Sequence, residues 1–313
     1  MTPAVTREAD WRFLLPRPEQ DAFDHLLLLG GSPGLGAYVA ELGLARRVSR
    51  SPREGRPADL VVVLADADVS IDSLAPHIAD RAVVYIEADR RIPGRRMLTP
   101  RRLTRTLAAQ GFTAAGTYWV KPGFPRRVMY LPFGKRGALR WYLDTVYRAT
   151  SGARRALKTA LHALAQRDDA FAALVPCFAI TALRGMAVRP PALVEQTCAA
   201  SVDSLEPILL ATGEADWNRL VYLLFSDGAD RPSAVLKLAR SISFNSAVEH
   251  EHANLRDLSA MLPPALLASI PASTLLRVGD LSVSAETCVR GTSVATRSGP
   301  GAASLDDLRC TAA

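Results

Sequence analysis

Apolar positions along the chain fall into two patterns. Unbroken runs, Leu26–Leu29 (LLLL), Ala58–Leu64 (ADLVVVL) and Ala82–Glu87 (AVVYIE), have the length and β-branched content of strands buried on both faces. Between them apolar residues recur at helical spacing. From Asp24 to Gly43 the pattern predicts strand, tight turn, helix: the leucine run stops at Gly30, Gly31, Gly34 and Gly36, and Tyr38, Val39 and Leu42 then supply one helix face. Ala45–Ser49 reads as a short second strand, Ile71–Ile78 as a helix, and Arg101–Gln110 as a helix ended by Gly111. Phe112–Val120 and Arg126–Phe133 read as a strand pair joined by the turn KPGFP. Phe171–Leu183, interrupted by Pro176, reads as a strand or core segment.

Strands that alternate with helices and close on two adjacent strands predict an α/β, Rossmann-like doubly wound sheet over residues 21–187, after an N-terminal extension, 1–20. Periodicity then weakens around Pro190 and Pro191, and 188–206 reads as a linker. A second, α+β unit is predicted over 207–295. It has β-like runs at Pro207–Thr212, Leu220–Phe225 and Ala234–Ala239, and a helix Phe244–Met261 with Val248, Leu255, Leu258 and Leu262 on one face. Two further strands, Leu275–Leu281 and Ser284–Val289, follow, and 296–313 reads as a flexible tail.

Glycines between a strand and a helix allow backbone amides to approach a ligand closely, at a helix end that favours negative charge. The stretch near position 30 therefore has the outline of a nucleotide-cofactor site, or of a plain tight connection. LLLLGGSPGLG, ADLVVVL, the strand ending in Glu87 and GFTAAGTYWVKPGFPRRVMYLPF together resemble the class I S-adenosylmethionine-dependent methyltransferases, over about residues 20–185. The resemblance implies S-adenosylmethionine held at Gly30, Gly31, Gly34 and Gly36, with Asp66, and Tyr85 or Glu87, lining the site, and a small molecule or glycan as methyl acceptor. It identifies no catalytic residue. Two departures point to a degenerate member. Where the family's second strand ends in the acid that binds the ribose, this chain has Arg46, Arg47 and Arg50, with only Glu54 nearby. The link to ADLVVVL is also too short for the usual helix, strand and helix.

The order of the second unit, three strands with a central lysine, a helix with a glutamate, then two strands, resembles the N-terminal lobe of the aminoglycoside phosphotransferase and protein-kinase-like families. That resemblance implies ATP as ligand, Lys237 in AVLKLA pairing with its phosphates, and Glu251 holding the lysine, with Glu249 as the competing partner. No catalytic aspartate motif follows before Ala313, so the expectation is a lobe without phosphoryl transfer, in a truncated fusion or a binding module. His250 and His252, two apart on a helix, point to different faces and suggest solvated side chains, with no metal site. The reading is a degenerate methyltransferase-like protein fused to a truncated phosphotransferase-like lobe; the alternative is a non-catalytic nucleotide-binding or scaffold protein.

Composition refines this picture in three respects. The 313 residues carry a formal net charge of +7, and ten basic residues between Arg126 and Arg167 face one carboxylate, Asp144. Interleaved with Trp141, Tyr142 and Tyr147, this is either a solvated basic face or a surface for anionic lipid; nucleic acid is not favoured. Cys177, Cys198, Cys288 and Cys310 form no CxxC pair, which suggests a reduced, cytoplasmic protein without structural zinc. The N-terminus lacks the uninterrupted apolar core of a secretory signal.

Overall fold

In a computed structural model, the structure describes residues 3–16, 22–52, 56–93, 98–124, 126–134, 136–147, 151–164, 168–198, 205–213 and 215–289. Glu54, Lys135, Arg148, Arg167, Cys310, the tail 296–313 and part of the expected linker lie outside the described residues. The strands are β1 (Phe23–Leu29), β2 (Ala45–Ser49), β3 (Ala58–Val63), β4 (Ile78–Asp89), β5 (Phe112–Lys121) and β6 (Met129–Pro132), then β7 (Cys177–Arg184), β8 (Glu206–Leu210), β9 (Arg219–Phe225), β10 (Ala234–Ala239), β11 (Ser273–Val278) and β12 (Leu281–Thr287). The helices are α1 (Pro3–Glu8), α2 (Leu35–Glu41), α3 (Ile71–Leu74), α4 (Pro100–Ala109) and α5 (Arg136–Trp141), then α6 (Gly152–Leu164), α7 (Asp168–Leu174), α8 (Ala192–Thr197), α9 (Asn245–Met261) and α10 (Pro264–Leu267). None is long and apolar enough to cross a membrane, among the described residues.

All twelve strands belong to one sheet, in the order β2-β1-β3-β4-β7-β5-β6-β8-β9-β10-β12-β11. Strands β2, β1, β3 and β4 are parallel, β7 runs against β4, and β5 runs against β7. The expected separation into two sheets is thus corrected: β6 pairs with β8 at Met129–Leu210 and Tyr130–Leu209, which carries the ladder from the first group of strands into the second. The segment expected as a linker contains α8, whose Leu193 and Val194 are buried.

Alternation of side chains splits the apolar residues between the two faces. On one face Leu26, Leu28, Leu60, Val62, Tyr85, Tyr222, Leu236 and Leu238 form a continuous core. On the other, Leu27, Val61, Val84 and Ile86 pack with Leu103 and Leu107 of α4. Both faces of the central strands are therefore dry, which is why those strands read as unbroken apolar runs.

The N-terminal extension is the largest departure from expectation. Residues 3–16 lie on the first core, where Trp11 is fully buried and stacks on Tyr85 at 5.8 Å, and Phe13, Leu14 and Leu15 are buried. The segment holds both halves of the sheet. Arg7 donates two hydrogen bonds to the Arg127 carbonyl beside β6, and Arg127 donates to the Glu8 carbonyl at 2.9 Å. At the other end, Asp10 accepts from the Arg240 guanidinium at 3.0 Å, with neither side chain exposed, Arg12 donates to the Arg240 carbonyl, and Tyr222 donates to the Phe13 carbonyl.

Smaller corrections follow turn chemistry. The expected helix 71–78 is one turn, α3, and a 3-10 turn through Pro76, so β4 begins at Ile78 rather than at Ala82. Pro176 divides Phe171–Leu183 between α7 and β7. The run Leu275–Leu281 crosses a hairpin turn in which Gly279 has φ +57°, so β11 ends at Val278 and β12 starts at Leu281. In the basic segment Arg127 is buried rather than exposed, Trp141 packs edge-on against Phe225, and Tyr142 packs against Trp119.

The Asp10–Arg240 pair generates a stability prediction. Asp10→Ala leaves a buried guanidinium without its counter-ion and is expected to lower unfolding free energy by about 3–5 kcal/mol in urea titrations. The double variant Asp10→Leu with Arg240→Met is expected to recover most of that loss, and equal destabilisation of single and double variants would show that the charge pair is not its source.

Candidate functional site

The chain leaves β1, forms α2 and returns as β2 on one side of β1, then crosses to β3 on the other. This reversal is the switch point at which open α/β sheets bind ligands, beyond the carboxyl ends of the strands. A cavity of about 490 Å³ lies there, lined by Gly31 and Ser32 after β1, Leu64, Ala65 and Asp66 after β3, and Glu87 and Asp89 at the end of β4. Glu8, Ile92, Phe124 and Arg127 complete it. The expected Gly31, Asp66 and Glu87 are thus brought together, whereas Gly30, Gly34, Gly36 and Tyr85 are not among its lining residues.

Protein groups occupy the polar groups of the glycine turn. The Gly31 N–H donates to both Asp66 carboxylate oxygens, at 2.9 and 3.0 Å, and the Ser32 N–H donates to Glu8 Oε2 at 2.8 Å. Arg50, the first residue after β2, donates to the carbonyls of Gly30 at 2.7 Å, Gly31 at 3.0 Å and Ser32 at 2.9 Å. The glycines answer to this internal packing. Gly30 and Gly31 have φ of +82° and +78°; a Cβ on Gly30 would stand 2.5 Å from Asp66 Oδ1, and one on Gly31 2.6 Å from Leu64 and 2.7 Å from Leu35. A Cβ on Gly36 would meet the Arg50 stem at 3.3 Å, and one on Gly34 faces Val5.

A buried ion pair forms part of the wall. Glu87, 2% exposed, bonds to Arg127 at 3.1 Å and accepts from Tyr85 Oη at 3.1 Å and from the Ala65 N–H at 3.2 Å. Burial pushes the Glu87 carboxyl above its ordinary range, and the neighbouring Arg127 charge opposes that rise. Asp89 is bridged by Arg91 at 2.7 Å, and the hydrogen bonds from Arg91 hold its carboxyl below the usual value against the effect of burial. Glu8 and Arg127 went unrecognised in the sequence, because each reaches the cavity from a segment distant in the chain; no local pattern marks them.

The other expected pair is also assembled. Lys237 on β10 lies 2.9 Å from Glu251 of α9, while Glu249 pairs with Arg277 at 2.7 Å and accepts from Ser282 Oγ. Lys237 has a second carboxylate, Glu286 of β12, at 2.8 Å, and Arg219 of β9 pairs with Glu251. Ser284 Oγ donates to Glu286, and Ser273 Oγ links Ser284 to His252 Nδ1, both at 2.9 Å. His252 is therefore half-buried and bonded, not solvated as expected, whereas His250 is exposed. No group of three or more His, Cys, Asp or Glu side chains is arranged to hold a metal ion, among the described residues.

No protein-family model matches the chain, and no curated protein matches it. Among solved structures it is similar to the X-ray structure of YjhP from E. coli, at 13% identity and a TM-score of 0.25, over 59% of this chain and 96% of that one. A likeness at that score carries no argument.

Two substitutions test the internal roles of these residues. Gly31→Ala forces a Cβ into Leu64 and Leu35 at positive φ and is expected to cost about 1–3 kcal/mol of stability with no ligand present. Lys237→Met strands the nearly buried Glu286 and is expected to cost about 1–3 kcal/mol, read from urea midpoints, whereas an unchanged midpoint would mean that solvent already screens the cluster.

Proposed function

We propose that this chain is a methyltransferase-like protein whose cofactor turn has been taken over by its own side chains, and that it serves as a non-catalytic binding or scaffold protein. The methyltransferase-like part rests on the parallel order β2-β1-β3-β4, a glycine turn after the central strand, and a cavity at the switch point. Strand β2 is the edge of the sheet, in keeping with the strand unit that the short link cannot hold.

One observation carries the loss of cofactor binding. The two amides of the turn donate to Asp66 and Glu8, and Arg50 binds the three carbonyls from the end of β2, where the resemblance places a ribose-binding acid. S-adenosylmethionine does not fit this arrangement. An arginine there offers only donors to ribose hydroxyls, and a cofactor carboxylate would need amides that already hold carboxylates.

The Lys237–Glu251 pair supports the likeness of the second group of strands to a kinase-type lobe. Its electrostatics favour a structural role. Lys237 and Arg219 together face Glu251 and Glu286, so the cluster has no net charge and its lysine is held by two carboxylates. Nucleotide phosphates would have to displace both.

Thermal unfolding with each ligand tests this reading. A ligand at about 100 times its Kd adds roughly 2.7 kcal/mol of stability, a shift of several degrees. Neither S-adenosylmethionine nor Mg-ATP at millimolar concentration is expected to move Tm measurably. A saturable rise with S-adenosylmethionine that Asp66→Asn abolishes would restore the cofactor site, and one with Mg-ATP lost in Lys237→Met would restore the nucleotide lobe.

A further inference from the structure

A second, larger cavity shares no lining residue with the first. It measures about 590 Å³ and opens where the sheet is incomplete. Strand β6 pairs only with residues 118–121 of β5, so among the described residues the first half of β5 has no strand beside it on that edge. Ala114–Thr117 of this open half form one wall, β8 contributes Pro207, and Val188, Pro190 and Pro191 close another side. The volume lies within the ~300–1,000 Å³ of small-molecule pockets, and the walls are mostly apolar.

Its charged groups are of one sign. Arg101 and Arg105, one turn apart on α4, line it together with Arg189, and no carboxylate does so among the described residues. Thr104 lies between the two helix arginines in sequence and also lines the cavity. Thr117 and Tyr118 of β5 add two hydroxyls, of which Tyr118 is the more telling. It is 4% exposed, lines the cavity, and makes no hydrogen bond among the described residues. Its ring folds over Gly116, where a Cβ would stand 2.5 Å from the hydroxyl oxygen, so the absence of that Cβ allows the ring to lie there. Its hydroxyl faces the cavity and is free to bond to a ligand there in place of water.

We propose that this cavity binds a small organic anion with an apolar body, its carboxylate or phosphate head at the arginine rim and its body along the open half of β5. The charge pattern selects against cations, in contrast to the first cavity, which four carboxylates and one arginine line. Guanidinium groups suit such heads because their N–H donors match the spacing of carboxylate and phosphate oxygens. The Tyr118 hydroxyl then donates to, or accepts from, a polar atom near the head. This proposal is independent of the fate of the cofactor turn.

Isothermal titration of the full chain with octanoate, octyl phosphate, octylamine and inorganic phosphate tests it. Both octyl anions are expected to bind at one site, the tighter identifying the preferred head, while octylamine and inorganic phosphate give no saturable heat. Arg105→Gln combined with Arg189→Gln changes exposed side chains and is expected to weaken octanoate about tenfold, a loss of ~1.4 kcal/mol, at unchanged Tm. Tyr118→Phe, which keeps the ring, is expected to weaken binding a few-fold. Octylamine binding as tightly as octanoate, phosphate alone binding as tightly as octyl phosphate, octanoate affinity unchanged in the double arginine variant, or no octanoate binding at all would each overturn the proposal.

Discussion

The buried pair between Asp10 and Arg240 is the constraint on which the architecture depends. Both side chains are wholly out of water, and an isolated charge there would be far more costly than the pair. The pair therefore forces the N-terminal segment to remain on the sheet at the end of β10. Hydrogen bonds from Arg7 and Arg127 tie the same segment beside β6, and Trp11 fills the core between. Residues 3–16 thus bridge two groups of strands that are otherwise joined by the short β6–β8 ladder, the packing of Trp141 on Phe225 and the core on either face. The lone two-residue register at that ladder is a weak joint by itself; the segment laid across it makes one layer of the whole.

The same segment decides the chemistry of the glycine turn. Because α1 is held against the sheet, Glu8 reaches the Ser32 amide, and its backbone carbonyl receives Arg127, the partner of Glu87. Asp66 and Arg50 complete the enclosure from the strands on either side of β1. Each of these contacts is a charge-assisted hydrogen bond, stronger than those between neutral groups. The amides and carbonyls of the glycine turn are in this way held by internal bonds, and the carboxylates of Asp66 and Glu8 that hold its amides also line the acidic cavity beside it.

At the far edge the polar cluster around Lys237 performs a comparable task. On β10, Leu236 and Leu238 face the first core, so Lys237 faces the other side of the sheet, where α9 lies. α9 has only Val248 buried, too little apolar surface to hold it in place. The lysine, its two glutamates and Arg219 supply the specific contacts that orient the helix, with Asn245 and Glu249 adding bonds to the β11–β12 hairpin. Polar pairing here gives a defined position where hydrophobic burial is thin.

Local regularities were legible from the residues alone. Unbroken apolar runs identified β1, β3 and β4, the glycine cluster marked the turn after β1, and the resemblance of the strand–helix order to a kinase-type lobe implied the pairing of Lys237 with Glu251. The direct passage from β2 to β3, without a helix between them among the described residues, was legible too, since chain length alone limits what a link can contain. What the sequence could not convey were contacts between residues far apart in the chain: the bond of Asp10 to Arg240, the reach of Glu8 and Arg127 into one cavity, the joining of β6 to β8, and the void beside β5. Periodicity reports which face of an element is buried but not what buries it. Those partners depend on how elements pack in three dimensions, and the tertiary structure alone made one sheet from what read as two and paired the amides of the glycine turn with the protein's own carboxylates.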